Sequence, residues 1–369
     1  MAQALYRKYR PKTFADVFGQ SHVVTVLKNA AKADRLSHAY LFYGPRGSGK
    51  TTIARLLAKV ANCQTRQDDA TFAKKGEPCN KCGPCEEISA GRGIDVIEID
   101  AASNRGIDEI RSLKEGIRLS PSSYKHKVVI IDETHMLTKE AFNALLKTLE
   151  EPPAHAILIL ATTELDKVPA TITSRTQRFH FTRHTVADIS KKLESIAEIE
   201  KINIDKDAIE LIASLAEGSF RDGESLIQQA ASLADKITLK TIEAGLGQVG
   251  LDKTTKLAEL ILTRELKSAL AYLKEVDDMG LNVIDLTKEL VHYLRKILTL
   301  KFNPDLEADI ARDLTTKELA QLKTITKQTS PDQLIAILKS LIRAFSEMRY
   351  SPFASIPLEI AIIENLREK

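Results

Sequence analysis

Eight consecutive residues, Gly44-Pro45-Arg46-Gly47-Ser48-Gly49-Lys50-Thr51, fit the pattern G-x-x-x-x-G-K-[ST]. Glycines at these positions let backbone N–H groups turn inward around phosphate oxygens, and a helix starting there adds a favourable dipole. Lys50 is placed to contact β- and γ-phosphates, Thr51 to offer a hydroxyl to Mg²⁺, and Thr52 continues the phosphate-binding turn. Further on, the apolar run Val128-Val129-Ile130-Ile131 ends in two adjacent carboxylates, Asp132 and Glu133. At the carboxyl end of a buried strand, Asp132 can hold the metal and Glu133 can orient or deprotonate an attacking water. Together the two motifs point to hydrolysis of ATP or GTP.

Four cysteines suggest a second chemistry. Cys63 is followed by the knuckle Cys79-Asn80-Lys81-Cys82-Gly83-Pro84-Cys85, two C-x-x-C steps in succession. Four thiolates suit tetrahedral Zn²⁺ and leave no open coordination position, so such a site is structural. An iron–sulfur cluster and unligated thiols are the alternatives to zinc.

These residues need a framework. Candidate strands are Ala39–Tyr43, Ile94–Asp100, Lys127–Asp132, Ala156–Ala161 and Arg178–Thr182, several of them nearly continuous apolar runs. Such runs belong in a sheet covered on both faces. Helical stretches lie between them, including Lys139–Glu150, which stops at Pro152-Pro153. The alternation predicts a parallel α/β sheet. After about residue 184 the strands are expected to stop. Apolar spacing marks a helix through Ile189, Leu193 and Ile196, and another through Ile209, Ile212 and Leu215. A third should open at Ser219 and Asp222, and Thr238 could cap a fourth. Gly245, Gly247 and Gly250 suggest a boundary, beyond which everything reads as helical.

The 369 residues suffice for two or three domains. With 43% hydrophobic residues the chain can bury sizeable cores. Its net charge is only +3, so contact with nucleic acid must come from local basic patches; the absence of Trp argues against extensive base stacking. No apolar run is long enough to span a bilayer, and the N-terminus lacks an apolar signal region, so the expected location is cytoplasmic.

Several segments carry a family resemblance. They are Leu5-Tyr6-Arg7-Lys8-Tyr9-Arg10-Pro11-Lys12-Thr13-Phe14, Gly19-Gln20, the phosphate loop with the cysteine knuckle after its helix, and Asp100-Ala101-Ala102-Ser103. Asp132-Glu133-Thr134-His135-Met136-Leu137, the segment Phe142 to Pro153, Ala161-Thr162-Thr163-Glu164 and Glu217-Gly218-Ser219-Phe220-Arg221-Asp222 complete the set. In this order they resemble the gamma/tau subunit family of bacterial DNA polymerase III, the motor ATPases of the sliding-clamp loader. The resemblance is sharp over residues 1–245 and mainly positional beyond.

It implies an α/β AAA+ P-loop ATPase domain over residues 1–182 with a zinc insert at about 63–85. An all-α lid over 183–247 and an all-α collar over 248–369 follow. Thr163 matches the sensor-one position, Arg221 sensor two, and Arg175 the arginine finger that reaches a neighbouring subunit's nucleotide. Arg10 and Pro11 match the N-terminal stretch beside the chain's own bound nucleotide. His135 reads as a structural polar residue, and Arg105 as a DNA-contact candidate. The implied cofactors are ATP, Mg²⁺ and Zn²⁺. The implied partners are the sliding clamp, other clamp-loader subunits in a heteropentameric ring and primed-template DNA. Single-stranded-DNA-binding or polymerase subunits are further candidates, nucleotide incorporation belongs to partner subunits, and no membrane is involved.

Two positions depart from the family pattern. Thr176 follows Arg175 where the family usually has Cys, and Gly223 follows Asp222 where it has Ala, which should weaken that helix modestly. The chain also ends after the collar, without the further domains of the long form. Two alternatives to the clamp-loader motor are a DNA-remodelling AAA+ motor of the branch-migration type and a non-catalytic clamp-loader scaffold. The former carries a winged-helix domain after the lid; the latter does without an intact phosphate loop.

Overall fold

The computed structural model describes residues 4–239, 241–242, 251–311, 314, 316–348 and 350–367. The glycine boundary at Gly245, Gly247 and Gly250 lies outside them. Two compact units are present. One comprises the chain up to His184 together with Gly218–Asp222; the other comprises Thr185–Glu217 and the chain from Gly223 onward.

The first unit is built on five strands: β1 (Ala39–Tyr43), β2 (Val96–Asp100), β3 (Lys127–Asp132), β4 (Ala156–Thr162) and β5 (Gln177–His180). Their order is β2-β3-β4-β1-β5, and every pair is parallel. Parallel pairing puts all five carboxyl ends on one edge, with Tyr43 opposite Thr162 and Asp100 opposite Asp132. The apolar runs have the composition they do because both faces are covered. On β1, Tyr40 and Phe42 enter one core while Ala39 and Leu41 enter the other. On β3, Val128 and Ile130 alternate in the same way with Val129 and Ile131.

The first face is covered by α1 (Ser21–Lys32) and α2 (Lys50–Asn62), whose Leu27, Ile53 and Leu57 are fully buried. The second is covered by α3 (Ile107–Arg118) and α4 (Lys139–Glu150), through Ile110, Ile117, Leu145 and Leu149. Thr138 caps α4 by accepting from the Ala141 N–H, and the helix ends at Glu150 as the prolines demand. The expected strand at Ile94 begins two residues later, because the Val96 N–H turns back to the Gly93 carbonyl. The fifth strand ends at His180, and Thr182 bonds instead to the Gln20 side chain.

In the second unit, α5 (Val186–Glu200) and α6 (Lys206–Leu215) lie where the apolar spacing placed them. Helix α7 (Phe220–Ala231) begins in the Gly218–Asp222 segment of the first unit, where Ser219 Oγ accepts from the Asp222 N–H at 3.2 Å, and continues in the second. Thr238 Oγ1 accepts from the Thr241 N–H at 3.3 Å. The expectation that strands stop after about 184 is corrected: Asn203–Ile204 and Lys236–Ile237 form a short parallel pair. Two residues per strand are too few to leave a periodic signal. Beyond residue 250 the longer elements are helices at Leu251–Leu262, Leu266–Asp278, Val283–Phe302, Thr316–Gln328, Pro331–Met348 and Ser355–Leu366. They share one core in which Leu290, Leu294 and Ile297 meet Ile337, Leu341 and Ile362. Among the described residues, no helix is long and apolar enough to cross a membrane.

Candidate active site and metal centre

The phosphate loop joins β1 to α2 at the carboxyl edge of the sheet. Close approach leaves no room for a side chain at two of its glycines. A Cβ on Gly44 would sit 2.2 Å from the Phe181 carbonyl oxygen, and one on Gly47 would sit 1.9 Å from Ser219 Oγ. Both also have positive φ, at 145° and 72°. Ser48 Oγ donates to the Pro45 carbonyl at 2.8 Å, which closes the loop on itself. Gln20 secures it from outside, donating to the carbonyls of Thr182 at 2.7 Å and Ser48 at 3.4 Å.

Lys50 is buried, and its Nζ donates to the Gly44 and Pro45 carbonyls at 2.8 and 2.9 Å. Burial lowers its pKa, while the carboxylates of Glu133 and Asp132 act in the opposite sense. Thr51 Oγ1 donates to Asp132 Oδ2 at 2.7 Å, although 81 residues separate them. Thr163, just past the end of β4, donates from Oγ1 to Glu133 Oε2 at 3.1 Å. Glu133 is in the left-handed region, with φ of 48°, so its carboxylate departs from the strand direction. Two hydroxyls from distant parts of the chain thus pair with two adjacent carboxylates beside one ammonium.

His135 is a well-held neighbour of this arrangement. Its Nδ1 lies 3.0 Å from Thr162 Oγ1 and 3.5 Å from Glu133 Oε2, and its Nε2 lies 3.2 Å from Glu164 Oε1.

Beside the loop is a cavity of about 560 Å³. Arg10, Pro11, Thr51, Thr52, Asp132 and Arg221 all line it. Burial, and after it the neighbouring Arg55, opposes the Arg10 cation; Arg221 and Arg7 add to the opposition. Such a concentration of positive charge suits a polyanion. The Arg221 guanidinium lies over the Tyr6 ring at 5.0 Å. Arg46 is exposed at the tip of the loop.

The structure does not bring Arg175 to this cavity. Its guanidinium pairs with Glu150 Oε1 at 2.7 Å and donates to the Thr171 carbonyl at 2.9 Å. Arg105 is exposed in the loop before α3. The sequence reading missed Arg55 and Glu98, which also line the cavity and form a bidentate pair at 2.6 and 2.7 Å. One signal was available for Arg55: it follows Thr51 by four residues, on the same face of α2.

The cysteines form a second centre. The Sγ atoms of Cys63, Cys79, Cys82 and Cys85 all lie within 4.8 Å of one another. A tetrahedral zinc tetrathiolate, with Zn–S of about 2.3 Å, needs S···S edges of about 3.8 Å; Cys79 and Cys85 are 4.0 Å apart. The Lys81 and Cys82 N–H groups donate to Cys79 Sγ at 3.3 and 3.2 Å, and the Cys79 N–H donates to Cys63 Sγ at 3.4 Å. A hydrogen bond from the Cys85 thiol draws Cys63 down to about 5 and pushes Cys85 itself up. One thiolate already favoured inside a cage of four sulfurs fits a single soft divalent cation.

A parallel sheet with a glycine loop after one strand and paired carboxylates after another is the scaffold of a P-loop nucleotide-binding protein of the AAA+ class. Family profiles cover most of the chain. They are described as DNA polymerase III, delta subunit (residues 19–185), DNA polymerase III clamp loader subunit, ATPase lid domain (188–236), and DNA polymerase III subunits gamma and tau domain III (237–367). The DNA polymerase III subunit gamma of Buchnera aphidicola from Acyrthosiphon pisum is 35% identical over 98% of both chains. The chain belongs to the gamma/tau subunit family of DNA polymerase III. The tau subunits of Bacillus subtilis and Escherichia coli are 42% and 38% identical over 98% and 99% of this chain. It spans 63% and 55% of their respective lengths.

Proposed function

We propose that the chain is the ATP-hydrolysing motor subunit of a DNA polymerase III clamp loader. The observation that carries the reading is the convergence of Lys50, Thr51, Asp132, Glu133 and Thr163 at one sheet edge, beside a cationic cavity. Lys50 and the loop N–H groups hold the phosphates, and Arg10, Pro11, Thr52 and Arg221 flank the nucleotide. Thr51 and Asp132 would hold Mg²⁺, which supplies charge neutralisation across the β- and γ-phosphates when bound. Glu133 orients and accepts a proton from the attacking water, and Thr163 keeps its carboxylate aimed while sensing the γ-phosphate. Arg175 serves the next subunit's site, stabilising charge that develops in the transition state. That it is not among the residues lining the chain's own cavity suits that role.

The four cysteines would hold Zn²⁺ as a structural ion; sulfurs this close surround one ion better than a multi-iron cluster. The chain divides into an ATPase domain (1–182), a lid (183–247) and a collar (248–369). It works in the cytoplasm with a sliding clamp, other loader subunits and primed-template DNA, with single-stranded-DNA-binding or polymerase subunits as further partners. Arg105 is a DNA contact, and nucleotide incorporation belongs to partner subunits.

The test is steady-state ATPase activity with partner subunits, with and without clamp and primed DNA. Joint stimulation by clamp and primer junction, abolished by Lys50→Ala, is the expected result. Turnover raised by branched DNA and indifferent to the clamp would favour a remodelling motor. Loading activity unaffected by Lys50→Ala would favour a scaffold.

A further inference from the structure

We propose that the four-cysteine centre buttresses the phosphate cavity, so that metal and nucleotide bind with positive coupling, and that Lys59 is the positioning residue joining them. The inference rests on the nucleotide reading above.

Four observations converge. Helix α2 begins with Lys50 and Thr51 and ends at Asn62, directly before the thiol of Cys63. Its two ends are therefore the phosphate site and the metal site. The short helix Gly83–Ser89, which carries Cys85, runs into residues 88–91, and these form part of the wall of the cavity that Thr51 and Asp132 also line. Lys59, only 4% exposed, lies on α2 between the two sites. Its Nζ donates to the Lys12 carbonyl at 3.1 Å; burial opposes its charge, and ionised cysteines at the metal site act in the opposite sense. Lys12 directly follows Arg10 and Pro11, so this bond fixes the segment proposed to flank the nucleotide. Finally, Glu77, from the loop leading into the knuckle, accepts from the Phe14 N–H at 2.7 Å and pairs with Lys28 at 2.7 Å. The insert thus grips the same N-terminal segment at a second point.

The energetics favour coupling. One divalent cation held by four thiolates leaves a net charge of minus two, and an anion of that charge with two of its ligands, Cys63 and Cys85, buried is favoured by a buried cation nearby. Lys59, buried on α2 four residues before Cys63, supplies that cation while its Nζ donates to the Lys12 carbonyl. Loss of the metal frees the end of α2, the Cys85 helix and, through Lys59, the Arg10–Lys12 segment. A nucleotide that requires those groups in place must then order them itself. Linkage makes the effect reciprocal: bound nucleotide must retain the metal.

The experiment measures the extent of zinc release from the full chain to a competing chromogenic chelator at equilibrium, with and without saturating ADP, while ADP binding is followed by equilibrium dialysis on the same preparation. ADP should reduce release, raising the chain's apparent zinc affinity by about fivefold or more. Lys59→Met, checked to hold one zinc per chain, should bind ADP yet show release nearly independent of it. Equal protection in Lys59→Met would mean general stabilisation by ligand and would overturn the proposal. ADP that binds the native chain without altering release would overturn it too, whether or not the variant holds its metal. Failure of ADP to bind at all would instead remove the nucleotide reading on which the inference stands.

Discussion

The side chains with the most chemical potential are held by neighbours whose removal has calculable effects. Arg175 is the clearest case. Its partner Glu150 is half-exposed, and exposed ion pairs contribute at most about 1 kcal/mol. Glu150→Gln should therefore change unfolding free energy by less than about 1 kcal/mol. In the assembled complex it should raise turnover by up to about fivefold, because a carboxylate no longer competes with phosphate for the guanidinium. Turnover unchanged or lowered would show that Glu150 places the finger instead of restraining it. Asp95 is a different case. Burial opposes its ionisation, yet the N–H groups of Ser122, Ser123 and Tyr124, at 2.7 to 3.0 Å, outweigh it and hold the carboxyl below its usual range. A depressed folded pKa contributes stability that is present above the unfolded value and lost as pH falls through the folded one. Asp95→Asn should thus cost about 1–3 kcal/mol at pH 7 in urea titrations, with the deficit shrinking on acidification below the ordinary carboxylate pKa. A deficit independent of pH would contradict this account.

Among the elements, the crossing of α5, α6 and α7 turns on two features. A Cβ added to Gly223 would meet Ile189 Cγ2 at 3.2 Å and Ala216 Cβ at 3.4 Å. The glycine that looked like a weak point in α7 thus sits at a close helix approach, where its lack of a side chain is used. Next to it, Lys192 on α5 and Glu224 on α7 form a buried pair at 2.7 Å, with side chains 10% and 4% exposed. Lys192→Met alone leaves a carboxylate buried without its cation and should cost about 3–5 kcal/mol. The double variant Lys192→Met with Glu224→Leu should recover most of that loss, since an apolar pair of similar volume satisfies the same space. Equal destabilisation by the single and double variants in thermal unfolding would assign the role to packing alone.

For the whole molecule, the proposed division of labour is that each chain supplies a nucleotide site and a finger for another. Arg175→Ala should leave ADP affinity nearly unchanged and reduce clamp- and DNA-stimulated turnover by about a thousandfold or more. Mixing that variant with Lys50→Ala chains should restore part of the activity in the reconstituted complex, because some interfaces then combine an intact loop with an intact arginine. No recovery on mixing would argue that Arg175 acts on its own chain.

Much of this was legible in the residues alone. Lys127–Asp132 and Lys139–Glu150 stand where the apolar runs and the stop at Pro152 put them, because strand burial on both faces and helix termination are local demands. The phosphate loop, the paired carboxylates and the cysteine knuckle were visible because each is short and its spacing is set by coordination geometry. What only the tertiary structure decided is which distant groups meet. Thr51 finds Asp132 across 81 residues, Thr163 finds Glu133, and Gln20 closes on Thr182. The parallel strand order brings these ends to one edge, and no local periodicity encodes that order. Arg55, Glu98 and Lys59 read as ordinary charges on exposed helix or strand positions until the fold places a cavity and four sulfurs beside them. Charge can be read from one residue, but the field it acts in is made by neighbours that only folding supplies.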